Sequence, residues 1–461
     1  MLVMKKNIAI YIYVTLLVST CFFINSNIQL IFLVIASFFA IISMYLAFGF
    51  NDKILIFISF LIVFLNLILI KFSYDSAINL GFNNGIIRGN IGSYTYFDIS
   101  NYYLESSYLA EIWNLGQFKS WLSGEINSIY GYYGLYNFFV VLVACLKIIF
   151  GENINVLIIL KLQLSIISIF LLYGICRQFL NRRNSSIAVL IFNLFPGYLL
   201  VNISLMRDNI ITFFVLLSFY IFLKNYENFK KNIIISLLFL LGIITYMKVY
   251  TGVMVLILFL SFYCIQKNII RKLNLKKIIL VLISLILVLI VLGKVIEQMG
   301  YGFLGSDLVL NSNKYLNRFD SSKVETLPRL IFWSIYNMFL VGKTTIEYKG
   351  YIGNLLNSIS NIFTSIISII SIMGFLICNK IGYEKYKSIY WSGMIYSFIS
   401  CFIITFIFSS IIPRLYINWI WIQIILLLKL FEYKCSKVEL LGIFKCIIPI
   451  LISVIFLYLS K

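Results

Sequence analysis

Long runs of nearly unbroken apolar residues recur along the 461-residue chain, each close to the 20 or so residues a helix needs to cross a hydrocarbon core. They predict spans at 8–24, 28–48, 54–70, 156–176, 186–205, 209–223, 232–247, 249–266, 278–293, 354–378, 388–412, 415–431 and 440–459. Two polar stretches, 71–133 and 294–352, interrupt the series. Two apolar pieces, 134–150 and 329–342, are short and are read as re-entrant or surface-lying. The expected architecture is an all-α polytopic membrane protein of about 13 (12 to 14) transmembrane helices. A single transmembrane domain covers 1–461, since no fixed-period repeat and no Pro- or Ser-rich linker divides it.

Composition fits this pattern. Hydrophobic residues make up 62% of the chain and charged residues 12%, against about 25% charged in soluble domains. The chain has no histidine, which excludes His-ligated metals, Ser-His and Cys-His nucleophile pairs and histidine proton relays. Acid–base chemistry is left to Asp, Glu, Lys or Tyr. Eight cysteines lie in or beside apolar runs without CxxC spacing and read as small buried hydrophobes, with no metal site among them.

The net charge of +20 is explained by Lys and Arg collecting in cytoplasmic connections, and no nucleic-acid role is needed. Those connections hold Lys5–Lys6, Arg177–Arg183, Lys224–Lys231, Lys267–Lys277, Lys380–Lys387 and Lys434–Lys437. The opening MLVMKKNIAIYIYV has no small-residue cleavage site after it and is expected to stay as a first helix with its N-terminus in the cytoplasm. The assignment puts 71–133, Arg207–Asp208, 294–352 and Pro413–Arg414 on the external face of a cell membrane, among its lipids.

The first polar stretch runs against the charge of the chain. Asp75, Asp98, Glu105, Glu111 and Glu125 face Lys71, Arg88 and Lys119, a net of −2. Asp98 opens a tyrosine-rich, weakly amphipathic helix. A carboxylate at a hydrocarbon boundary is partly desolvated and more basic, which suits a general base; the same residue also suits an N-cap. Arg207–Asp208 fills a tight turn between two spans, where ionisable residues are costly and often functional, or where an arginine snorkels beside a cap. Arg414 is followed by Tyr416, Trp419 and Trp421: a planar fork for phosphate oxygens, or an anchor in an interfacial aromatic belt. The 294–352 loop mixes Asp307, Lys314, Arg318, Asp320, Lys323, Glu325 and Arg329 without a recognisable spacing. Asp98 and Asp208 could also hold a hard divalent ion through oxygen, though no spacing demands one.

Taken together these residues resemble the GT-C superfamily of integral-membrane glycosyltransferases, related to protein mannosyltransferases and lipid A aminoarabinose transferases. The resemblance rests on Asp98, Tyr102, Ala110 and Gly116 along the first-loop helix, and on Ile149–Phe150–Gly151, Arg177 and Pro196. Ser204 and Asp208 in a polar turn and Arg414–Leu415–Tyr416 opening a late span complete it. It covers 90–225 well and 405–430 loosely. Three spans precede the loop where the family has one, Asp98 lacks a following acidic residue, and GYYGLYN (131–137) replaces a proline-rich stretch.

The resemblance implies an inverting transferase that moves a sugar from a polyprenyl-phosphate donor to a glycan or lipid acceptor, in cell-envelope glycan assembly. Asp98 would be the catalytic base and Asp208 a second acidic site residue. Arg414 would bind the lipid phosphate, with Tyr416 beside it; Arg207 has no secure family counterpart and is added as a lower-ranked phosphate ligand from its own position in the turn. A many-span polysaccharide polymerase or ligase acting through the later loop is the alternative. A lipid-linked-sugar flippase, for which only Lys147 and Lys161 lie mid-span, comes third.

Overall fold

A computed structural model describes residues 2–22, 26–80, 98–123, 125–126, 134–152, 154–267, 359–360, 362–368, 370–371, 384–408 and 413–432. Every regular element among them is helical. In chain order they are α1 (Leu2–Phe22), α2 (Ser26–Phe48), α3 (Lys53–Leu80), α4 (Asp98–Asn114), α5 (Phe118–Leu122), α6 (Phe138–Phe150) and α7 (Ile154–Cys176). There follow α8 (Arg182–Asn193), α9 (Pro196–Ile203), α10 (Asp208–Asn225), α11 (Lys231–Met247), α12 (Val249–Gln266), α13 (Glu384–Phe408) and α14 (Pro413–Glu432).

The exposed apolar positions locate the solvent. On α2 they are Ile28, Ile31, Ile35, Phe38 and Ile42; on α3, Ile54, Phe57, Leu61, Phe64 and Ile68. Both sets step by three and four residues, one continuous stripe on each helix. In water ten half-exposed side chains of this size would cost roughly 1 kcal/mol each, about 10 kcal/mol together, the scale of a whole fold's net stability. Hydrocarbon around the stripes removes that cost. The opposite stripe of α3 (Leu55, Ile58, Ile62, Asn66) is buried in protein. By contrast α7 and α14 are buried over 83% and 89% of their spans and form the centre of the bundle.

The chain is a multi-pass membrane protein. Five described helices are long and apolar enough to cross alone: 28–48, 53–71, 155–176, 208–225 and 415–432. The expected 13 is therefore not reached among the described residues. Spans 278–293 and 440–459, the loop 294–352 and the segment 329–342 lie outside them, and 354–378 is described only in part. The span expected at 186–205 is broken into two helices, α8 and α9, which together are long and apolar enough to cross but meet at a 57° bend. Pro196 is the reason. It lacks an amide hydrogen and disfavours helical geometry at the residue before it, and Phe195 is extended at ψ 120°. Another shift is at residue 71, where the first polar stretch was expected to begin; α3 continues as helix to Leu80.

Two polar clusters fix the direction of the helices. At one end Asp52, just before α3, accepts hydrogen bonds from Tyr173 Oη near the end of α7 (2.6 Å) and pairs with Arg182 at the start of α8 (3.1 Å). Glu432, ending α14, accepts from the Asn181 amide (2.6 Å) at the same end. At the other end Gln29 Oε1, opening α2, accepts from Asn155 Nδ2, opening α7 (3.0 Å), and Asp208, opening α10, meets Lys248 between α11 and α12. The basic connections at 177–183 and 224–231 thus share the Asp52 end, opposite Asp208.

α6 lies across the Asp208 end. Just before it, the Tyr136 carbonyl accepts the Tyr246 hydroxyl at the finish of α11; its last residue, Phe150, packs 5.0 Å from Phe22 at the finish of α1. Its 13 residues rise about 20 Å, short of a core about 30 Å thick. Gly151 then turns the chain into α7 at φ +77°, a conformation a side chain would strain.

Candidate active site

The turn between α9 and α10 is held from below. Lys161, buried in α7, donates to the Val201 carbonyl (2.5 Å) and to the Ser204 carbonyl, closing the open end of α9. Asn209 Nδ2 donates to Asn202 Oδ1 and to Ser165 Oγ (3.1 Å). These ties leave Arg207 and Asp208 at the head of α10, 7% and 3% exposed. A carboxylate in the first turn of a helix is favoured by the amide dipoles there.

Lys248 Nζ lies 2.7 Å from Asp208 Oδ1. Both side chains are buried, so each desolvated charge is met by the other. Lys248 sits in an extended kink, φ −162° and ψ 95°, that separates α11 from α12 and turns its side chain inward. Burial works against its charge, but Asp208, with Tyr250, holds its proton more firmly than an ordinary lysine's. The ammonium also stands 5.0 Å from the centre of the Tyr250 ring.

Arg207 connects this cluster to α4. Its guanidinium carbon lies 5.2 Å from the centre of the Tyr102 ring, within cation–π range. Tyr102 is one turn beyond Asp98, about 6 Å along the helix axis. One face of α4 is buried, with Asn101, Tyr102, Glu105, Ser106 and Leu109 all at 8% exposure or less, while Glu111 is exposed. The Tyr102 ring meets Phe139 of α6 edge-on at 5.0 Å. Glu105 is fully buried and, seven residues on from Asp98, shares its helix face.

α14 begins at the same end, since its finish at Glu432 is tied to Asn181 at the other. Pro413 is its first residue and Arg414 its second. The side chains of Asp98 and Arg414 lie outside the described residues. Tyr416 is fully buried, its ring centre 4.9 Å from that of Trp419. The aromatic-belt alternative is corrected here: Trp419 and Trp421 are both fully buried, and Trp421 packs 5.2 Å from Phe219 of α10 instead of facing lipid.

The structure thus packs Arg207 on Tyr102, one helical turn from the start of α4 at Asp98, pairs its neighbour Asp208 with Lys248, and starts the Arg414 helix at the same end. Among the described residues no group of three or more His, Cys, Asp or Glu side chains could hold a metal ion. Asp208 Oδ1 is instead engaged by an ammonium.

This cluster lies inside the stretch that comparison with known families singles out. Residues 136–295 match the dolichyl-phosphate-mannose-protein mannosyltransferase family. That family is of the GT-C type, and the match supports a membrane glycosyltransferase. It takes in α6 to α12, with Arg207, Asp208 and Lys248, and stops short of Asp98 on one side and Arg414 on the other. No curated protein and no solved structure matches the chain.

Three of these residues are not marked as site residues by the sequence. Lys248 stands alone between two apolar runs, where a lysine reads as a span boundary; the usable signal was that it falls on the side where basic residues are scarce. Lys161, in the sequence only one of two mid-span lysines under the third-ranked flippase alternative, caps a broken helix. Glu105 is one of five loop carboxylates, with nothing in the sequence to mark it as buried.

Proposed function

We propose that the protein is a GT-C-type glycosyltransferase that moves a sugar from a polyprenyl-phosphate donor to a glycan or lipid acceptor at the external face of the cell membrane. The N-terminus is then cytoplasmic, because the basic connections share the Asp52 end. The observation that carries the reading is the packing of Arg207, beside the buried Asp208–Lys248 pair, onto the helix that Asp98 opens. The family match through the same turn supports it.

Chemically, Asp98 takes the proton from an acceptor hydroxyl. The acceptor oxygen bonds to the anomeric carbon as the bond from that carbon to the phosphate oxygen breaks, inverting the configuration. The electron pair leaves with the polyprenyl phosphate, whose charge is met by Arg414 and Arg207, with Tyr416 behind them in α14. Asp208 sets the position of Lys248 and Arg207 and keeps that side of the site in charge balance. A role in cell-envelope glycan assembly follows from an acceptor on the external face.

Membranes bearing Asp98→Asn, offered radiolabelled polyprenyl-phosphate sugar, should transfer about 10²- to 10⁴-fold more slowly than wild type, the share of a general base. Undiminished transfer removes Asp98 from that role. Loss of activity confined to changes at Arg318 and Arg329 would favour the polymerase alternative.

A further inference from the structure

Beside the active-site helix, but away from the Asp208 pair, lies a second buried ammonium that the mechanism above does not use. Lys147, on α6, is 7% exposed, and its side chain ends against α4. Nζ donates to the Tyr103 carbonyl (3.2 Å) and to Ser107 Oγ, and it stands 3.3 Å from the centre of the Tyr103 ring. Its counter-charge is Glu152 Oε2 at 2.9 Å, on the corner that Gly151 turns between α6 and α7. The same Glu152 oxygen accepts the Tyr103 hydroxyl (2.9 Å) and faces Ser107 Oγ at 3.5 Å. Two successive turns of α4 are therefore gripped from both sides by one ion pair.

We infer that Lys147 is a positioning residue: paired with Glu152, it latches α4 to the α6–α7 corner and so fixes Asp98 at the head of that helix. This rests on the proposed function for what Asp98 does, but the latch itself is a property of the packing. Asp98 is five residues before Tyr103, about 7.5 Å of helix, so a tilt at the grip is carried to the reacting end. Displacing a reacting group by about 1 Å costs on the order of 10² in rate.

The latch is also tuned. Burial pushes Lys147 down to about 8, with Glu152 working back against that fall. Burial, helped by Glu152, raises the Tyr103 hydroxyl, which stays a neutral donor. Tyr103 from α4 and Glu152 from the corner are the titratable groups facing the ammonium. The small cavity beside it is otherwise walled by Val143, Leu146, Val156, Leu157 and Leu205. Below pH about 8 the ammonium holds α4; above it the charge is lost and the grip loosens.

The test compares wild type with Lys147→Met and Lys147→Arg in full-length protein. Two readouts are used: amide exchange of 101–107 as a function of pH, and transfer from polyprenyl-phosphate sugar. Protection of these amides, taken relative to the intrinsic rise of exchange with pH, should fall above pH about 8 in wild type, be low at every pH in Lys147→Met, and fall only at higher pH in Lys147→Arg, whose guanidinium keeps its proton. Transfer by Lys147→Met should fall roughly 10²-fold in kcat with donor KM changed little, and the alkaline limb of Lys147→Arg should move upward. Exchange at 101–107 that is the same in all three proteins overturns the latch, whether or not any transfer is found. Altered exchange with unchanged kcat overturns its tie to Asp98. Absence of transfer by wild type counts against the proposed function alone, while exchange still decides the latch.

Discussion

At the scale of single residues, the Asp208–Lys248 pair is the sharpest feature of the site. Two charges 2.7 Å apart among apolar helices are tolerable together, and either alone is not. Asp208→Asn takes the 2.7 Å counter-charge from a buried ammonium and Lys248→Met takes it from a buried carboxylate; each should lower stability by about 3–5 kcal/mol. The double variant should recover much of that loss. Thermal unfolding in detergent measures all three, and a double variant no better than the worse single one would show that the pair is not coupled. Half of this pair was legible beforehand: Asp208 and its neighbour Arg207 were picked out because charges in a tight turn between apolar runs stand out. Lys248 was not, because its partner lies 40 positions away and nothing local distinguishes it from a charge that ends a span.

At the scale of elements, run length and caps carry most of the prediction, and breaks carry the errors. α4 starts at Asp98 and α14 at Pro413, as their sequences suggest. The bend at Pro196 was hidden by apolar residues on both sides of it, which make two short helices read as one span. The start of α3 shows how these ends are secured. Asp52 accepts from the Ile54 amide (3.0 Å), from Tyr173 and from Ser186 Oγ (3.3 Å), and pairs with Arg182. Burial works against its charge, yet the Tyr173 and Arg182 bonds and the Ile54 amide outweigh it and hold the carboxyl below its usual value. The folded value lies below the unfolded one, so this stabilisation is complete above pH about 4 and fades as pH falls through the folded value. Asp52→Asn should cost roughly 1–2 kcal/mol near neutrality, discounted because Arg182 is half-exposed, and should flatten the acid side of the stability curve. An unchanged acid profile would mean that Asp52 is not the group responsible.

At the scale of the whole molecule, the alternating direction of the helices puts the candidate site at one end of the bundle. Helices α3 and α8 rise from the Asp52 end, α7, α10 and α14 return to it, and α4 and α6 stay at the Asp208 end. Hydropathy and the basic connections already implied a basic end and an opposite, acidic one, and the position of the Arg-rich turn at 177–183 argued that 134–150, ambiguous in length, is re-entrant or surface-lying. Neither could show that α6 spreads over the mouth of the bundle and carries α4 on it, since that depends on contacts such as Tyr246 with Tyr136, 110 positions apart.

The donor distinguishes a transferase of this kind from a polymerase. Purified wild-type protein should be offered the same labelled sugar on a polyprenyl monophosphate, as a polyprenyl-diphosphate-linked repeat unit, and as a nucleotide sugar. Transfer from the monophosphate alone, reduced by about 10² or more in Asp98→Asn, is the predicted result. Joining of diphosphate-linked units with no use of the monophosphate would contradict it.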